Sequence, residues 1–233
     1  MRLSEVNPTA LYPVVIPSSK KKAKYRPFRV KEERALLHAQ QSGDLGVMLT
    51  TLKQVVENCI EPEGAAEGLT SYDLEYLFTL IRAKSVGEFS DLVFNCDHCD
   101  APNAKAKVSV DLRNVEVHSP EGFDKKIKLS ENITVVMRIP SMEELIEIQG
   151  DGSEGAVIRL GIETIYVDDD VYHAKEETKE ELDAFIESLS SKQYKMLEDF
   201  FESMPFARIP IKYKCPACGA DHNKFVKGLN NFF

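Results

Sequence analysis

Four of the five cysteines fall into two Cys-x-x-Cys pairs, Cys96 and Cys99 in FNCDHCDAPN (94–103) and Cys215 and Cys218 in YKCPACGADH (213–222). Between Cys99 and Cys215 lie 115 residues, where a compact two-knuckle ribbon leaves ~15 to 20. If one centre gathers all four sulfurs, the middle of the chain is clamped to its C-terminal part. The stretch between the pairs then becomes an insertion closed at its base, a constraint on topology that no other feature of the sequence matches.

Each pair follows a strand-like run and precedes another, VFNC to AKAKV and IKYKC to NKFV. That pattern places each pair at the tip of a β-hairpin, where two sulfurs and nearby backbone N–H groups aim at one point. Two such tips face to face complete the tetrahedral sulfur shell that Zn²⁺ prefers, as in a zinc ribbon. A redox dithiol instead wants a helix starting at the pair, to lower the pKa of the attacking thiol. Here Pro102, Asn103 and a β-like run follow the first pair, and Gly219 after the second suits a turn with positive φ. The expectation is a structural Zn²⁺ on Cys96, Cys99, Cys215 and Cys218, with no open position for water or substrate. Dithiol chemistry and unliganded cysteines are the alternatives. His98 and His222 lie beside the pairs, but four thiolates suffice without them; His38, His118 and His173 have no partner at ligand spacing.

Around this module the chain divides by texture. Residues 1–28 contain Pro8, Pro13, Pro17 and Pro27 and the run Lys20-Lys21-Lys22-Ala23-Lys24, which reads as an extended basic arm with VVIP (14–17) available to anchor on a partner. Residues 29–85 are helical. Val30, Arg34, Leu37 and Gln41 share one face ended by Gly43; Met48, Leu52, Val55, Val56, Cys59 and Ile60 form a second stripe; Leu74, Leu77, Phe78 and Ile81 a third, capped by Thr70 and Asp73. Cys59 sits on an apolar stripe and is expected to be a small core residue. The ribbon-like module takes 86–118 and 206–233, and 119–205 is an α/β insertion, giving an α+β chain. Within the insertion NITVVMRIP reads as a strand, Ser141 with Glu144 as a capping box, DGSEG (151–155) as a link, 156–166 as helix, and DDDVYH as a tight acidic turn. Two helices follow, marked by Leu182, Phe185, Ile186 and Leu189, then by Tyr194, Leu197, Phe201 and Met204.

Composition narrows the function classes. A chain of 233 residues, 43% hydrophobic and 29% charged, can bury a substantial core. No apolar run approaches the ~18 residues of a membrane span, and the N-terminus lacks the pattern of a secretory signal, so the expectation is a cytoplasmic protein without a membrane partner. The net charge of −9 is unevenly spread: residues 1–34 hold nine Lys/Arg against three acids. An acidic body argues against nucleic-acid binding, because phosphates demand a positive surface. No phosphate loop, Gly-x-Ser-x-Gly elbow or His-Glu-x-x-His is present. The acids between 163 and 202 read as solvated helix faces, and Asp168-Asp169-Asp170 lacks the ligand spacing of a calcium loop. No catalytic residues are expected, and the chain reads as a non-enzyme.

RPFRVKEERALLHAQQSG (26–43), the LKQVVENCI helix after it and LTSYDLEYLFTLIRAKSVGE (69–88) resemble the T4-type bacteriophage baseplate protein family, whose members act in building the central hub of contractile-tail baseplates. The resemblance covers residues 25–115 and, more loosely, the C-terminal third. It implies an assembly role: binding other hub or tape-measure proteins in the host bacterial cytoplasm, then staying in the tail baseplate or leaving as a chaperone. The zinc expectation rests on the cysteine spacing alone. The rival reading is a zinc-ribbon nucleic-acid-binding or transcription accessory protein, with the Lys20–Lys24 cluster on phosphate.

Overall fold

A computed structural model describes residues 9–101, 103–148 and 155–227. It is a mixed α/β chain in which every described strand pairing is antiparallel. The chain divides into two compact units, Met1–His118 with Phe206–Phe233, and Ser119–Pro205.

The first unit opens with β1 (Tyr12–Val15) and β2 (Lys22–Tyr25), which pair as a hairpin, Val14 opposite Ala23 and Tyr12 opposite Tyr25. Residues 9–28 of the segment expected to be an extended arm thus fold onto their own unit, and residues 1–8 of it lie outside the described residues. Val14, Ile16, Ala23 and Tyr25 are buried while Lys20, Lys21, Lys22 and Lys24 stay in solvent. The apolar alternation is split between two short strands and diluted by prolines and lysines, so only the pairing makes it a buried face. Pro13 costs no ladder bond because β1 is an edge strand.

Three helices follow. In α1 (Val30–Ser42), closed by Gly43 at φ 68°, the buried side is Glu32, Leu36 and Ala39. The Val30–Leu37 stripe that identifies the helix in the sequence faces outward, at 61% and 51% exposure. Asp44 caps α2 (Leu45–Cys59), whose Leu52, Val55, Val56 and Cys59 are buried, and β3 (Ile60–Glu61) adds to β2. The centre of the unit is α3 (Ser71–Ser85), with eight buried residues on more than one side. Its cap also ties down the hairpin: the fully buried Asp73 carboxylate accepts from the Thr70 amide and hydroxyl (3.0 and 2.7 Å) and from the Ser18 amide (2.9 Å). A second face of α3, with Tyr76, Leu80 and Ala83, packs on the strands that carry the cysteines. Those strands are β4 (Phe89–Asn95) and β5 (Lys105–Asp111), a two-stranded sheet, followed by β6 (Glu116–His118).

The second unit is a four-stranded sheet in the order β10-β9-β8-β7. Its elements are β7 (Lys126–Lys128), β8 (Ile133–Met137), α4 (Met142–Glu147), α5 (Ala156–Gly161), β9 (Ile162–Val167), β10 (Asp170–His173), α6 (Lys179–Glu187) and α7 (Ser191–Glu202). The helix expected over 156–166 stops at Gly161. Ile-Glu-Thr-Ile-Tyr-Val then continues as β9 between β8 and β10, because its β-branched residues fit a two-sided ladder. The capping boxes at Ser141/Glu144 and Ser190/Gln193 are present. Apart from Gly155, the expected DGSEG link lies outside the described residues, as does Gln149 beyond α4. The core joins Val135, Met137, Ile162 and Ile165 from the sheet to Leu182, Ile186, Leu197 and Phe200 from the helices.

The chain then re-enters the first unit. Strand β11 (Phe206–Lys214) pairs with β6, Phe206 opposite His118, and on its other edge with β12 (Asp221–Lys227).

Candidate metal centre

Both cysteine pairs sit at hairpin tips. Cys96 and Cys99 follow β4; the Cys96 amide donates to Ala104 O (3.2 Å), closing the loop before β5. Cys215 and Cys218 follow β11; the Cys215 amide donates to Ala220 O and the Gly219 amide to Cys215 O, both 2.9 Å, with Gly219 at φ 74°. That backbone conformation is the one only glycine adopts without strain.

The four Sγ atoms lie within 4.8 Å of one another. Cys96 is 3.8 Å from Cys218 and Cys99 is 3.9 Å from Cys215, so the close pairs join one knuckle to the other. A regular tetrahedron with ~2.3 Å metal–sulfur bonds has edges of ~3.8 Å, whereas a disulfide needs ~2.05 Å. All five cysteines are free thiols. The arrangement can therefore hold one four-coordinate metal ion. Among the described residues no second group of His, Cys, Asp and Glu comes together in this way.

Amide groups point at the sulfurs: the His98 N–H donates to Cys96 (3.3 Å) and the Ala217 N–H to Cys215 (3.4 Å). The Cys218 amide, against the effect of burial, holds the Cys215 thiol down at about 7; the Ala217 amide and the Cys96 and Cys218 thiols act in the same direction. At Cys99 the Ala101 amide works downward, but burial and the three neighbouring sulfurs carry the thiol up to about 12. Four sulfurs this close resist ionising together, and a bound cation removes that resistance.

His222 completes the surroundings. It lies on the inward face of β12 with Val226, is 5% exposed, and stacks on Tyr213 with ring centroids 4.7 Å apart. Its Nε2 is 3.3 Å from Cys96 Sγ, placed to donate to a thiolate, and its Nδ1 is 4.0 Å from the Asp97 carboxylate. Sequence reasoning weighed His222 only as a ligand and missed this contact; the alternation His222, Lys224, Val226 along the strand was the available signal. His98 is exposed, with its ring 5.2 Å from that of His222. His118 stands edge-on to Phe206, His173 beside Thr164, and His38 in solvent, all apart from the cluster. Burial pushes the Cys59 thiol up to about 11, in keeping with a core residue.

The hairpins also touch without metal. Tyr213 Oη and Lys224 Nζ donate to Asn95 O (3.3 and 3.4 Å), Lys224 pairs with Asp97 at 2.6 Å, and Phe94 stacks on Tyr213.

No solved structure matches this chain. It is 24% identical over 208 residues to the baseplate hub assembly protein gp26 of Enterobacteria phage T4, a match covering 89% of this chain and 90% of that protein. Residues 9–233 match the family described as T4 bacteriophage base plate protein, and with a match of that extent the chain belongs to this family.

Proposed function

We propose that this protein is a non-catalytic assembly subunit of the baseplate hub, which docks other hub or tape-measure components during tail construction in the host cytoplasm. Its ribbon-like module is held by one structural Zn²⁺ on Cys96, Cys99, Cys215 and Cys218. The similarity over 89% of the chain to a hub assembly protein carries the first half of this reading, and the gathering of the four sulfurs within 4.8 Å, with two cross-knuckle pairs at 3.8 and 3.9 Å, supports the second. With four thiolates the ion has no position left for substrate, so its role is to pin two hairpins.

Purification of the tagged chain from infected cells tests the assembly role. Hub or tape-measure proteins are expected to accompany it, and recovery without any baseplate component overturns the assignment. Presence in finished tails separates a resident subunit from a chaperone that leaves. Elemental analysis tests the metal: one zinc per chain is expected, and well under one with four freely titratable thiols overturns it. Cys215→Ser should lose the ion and at least ~2 kcal/mol of stability, a fall of roughly 4–8 °C in melting temperature for a chain of this size.

A further inference from the structure

The two units carry opposite charge: the second has nine Lys/Arg against twenty-one Asp/Glu, the first twenty against seventeen. In the first unit the positive charge gathers on the N-terminal hairpin. Lys20, Lys21, Lys22 and Lys24 are all exposed, and none of them is in an ion pair among the described residues. Lys53, Lys84, Lys107, Lys214 and Lys224, by contrast, each sit on a carboxylate of their own unit.

The hairpin holds these charges on a fixed frame. Its inner face is buried through Val14, Ile16, Ala23 and Tyr25, and its tip is closed by the Ile16 amide on Lys21 O and the Lys20 amide on Ile16 O, both 2.9 Å. Lys20 stands at φ 57°, a conformation that glycine adopts freely and lysine only at a cost. Folding alone favours glycine there, so the hairpin's own stability does not account for the charge at its tip. The outer face is also partly apolar: Val15, opposite Lys22, and Leu11 are exposed. Its aromatic residues are not available to stack on nucleic-acid bases, since Tyr25 is buried and Tyr12 half-buried. Unpaired cations beside apolar side chains instead suit a protein surface that is acidic and partly apolar.

The second unit presents such a surface. Its strands β9 and β10 form a hairpin with Asp168, Asp169 and Asp170 exposed at the tip, none of them ion-paired among the described residues. Directly behind that tip Tyr166 and Val171 lie opposite each other, both exposed. We propose that the lysine hairpin of one copy docks on the β9–β10 hairpin of a second copy. The ammonium groups lie beside Asp168–Asp170, and Leu11 and Val15 lie against Tyr166 and Val171. The two surfaces differ, so the contact is head-to-tail and each copy keeps one of each for further copies. Opposite potentials speed the encounter, while exposed ion pairs contribute little each, so the association is weak and salt-sensitive. It stands apart from the hub role and the metal, either of which can fail without it.

Sedimentation of the full chain over a concentration series tests it, at ~0.1 M salt, where charges act over ~10 Å, and at ~1 M, where they act over ~3 Å. The chain should associate reversibly in the first condition and be monomeric in the second. In Lys21→Glu/Lys22→Glu, and separately in Asp169→Lys/Asp170→Lys, the association constant should fall by about tenfold, each reversal replacing an exposed attraction by a repulsion. Melting temperatures should hold, because all four side chains are exposed. An equimolar mixture of the two variants should recover the association that neither shows alone, since it brings an intact lysine hairpin to an intact acidic one. Lys20→Gly should weaken association with no loss of melting temperature. A chain monomeric at ~0.1 M salt, association indifferent to salt or to either variant, or a mixture no more associated than its components overturns the proposal. A duplex oligonucleotide is the competing probe: binding that Lys21→Glu/Lys22→Glu abolishes, without self-association, overturns the proposal in favour of a phosphate contact.

Discussion

Cys96 Sγ accepts from the His98 amide and faces His222 Nε2, each 3.3 Å away. The amide is part of the knuckle and survives any side-chain change, whereas the imidazole is a separate choice of the sequence. Partners of this kind typically account for 10–100-fold in metal affinity. With zinc in place, His222→Ala should therefore raise the dissociation constant by about that factor, and His222→Gln, which keeps a donor, should recover part of it. Competition with a chromogenic chelator measures this; an unchanged constant in His222→Ala means the ring only fills space. Glu32 illustrates a different local balance. It is 3% exposed, accepting from the Arg29 amide at 2.7 Å and from Arg26 at 3.1 Å. Burial alone raises its carboxyl, but the Arg29 amide and the Arg26 guanidinium hold it below the ordinary carboxylate value. Its contribution is thus complete above the unfolded value of ~4.3 and is lost as pH falls through the lower folded value. Urea midpoints should drop for Glu32→Gln at neutral pH and fall less steeply than wild type across that acid window.

Among the elements, α5 shows why some of the fold was hidden from sequence reasoning. Ala156–Gly161 has helical character and Ile162–Val167 carries apolar residues that suit helix or strand, so nothing local marks the change at Gly161. Packing marks it: a Cβ on Gly161 would lie 2.5 Å from Phe201 Cζ and 3.0 Å from Met137 Cε. Gly161→Ala should cost about 1–3 kcal/mol through overpacking, and Phe201→Leu in the same chain should restore part of it. A Gly161→Ala protein melting like wild type would show that α7 yields freely at this point. The N-terminal hairpin was hidden for a related reason, since Val14 and Ile16 become a buried face only once Ala23 and Tyr25 lie opposite and Asp73 accepts from Ser18. By contrast, α2, α3 and the two cysteine hairpins were legible. A 3.6-residue stripe and a strand-turn-strand pattern are complete within about 15 to 25 residues, and need no distant partner to be recognised. The meeting of the thiols across 115 residues was legible only as chemistry, from what four cysteines in two pairs can share.

At the scale of the whole molecule, β11 returns beside β6 with Phe206 opposite His118 and their rings edge-on, 5.4 Å apart between centroids. The second unit, Ser119–Pro205, therefore leaves and re-enters the first through two adjacent positions of one antiparallel ladder. A ladder pair of this kind is what a two-residue hairpin turn connects, and Asn-Gly supplies the backbone twist that matches flanking strands. Replacing Ser119–Pro205 by Asn-Gly should leave the first unit with its own core around Val110, Leu112, Ile209 and Val226, and with all four thiols at its hairpin tips. The shortened chain should bind zinc one to one and melt cooperatively, and residues 119–205 expressed alone should do the latter around Val135, Met137, Leu197 and Phe200. Both follow from each unit holding its own buried cluster, the condition for a compact unit to fold by itself. A shortened chain that neither binds metal nor melts cooperatively would mean that the first unit depends on the second for its fold. In that case the insertion is not a module added to a zinc-pinned scaffold but part of what closes it, and the ion alone does not carry the clamp between mid-chain and C-terminal strands.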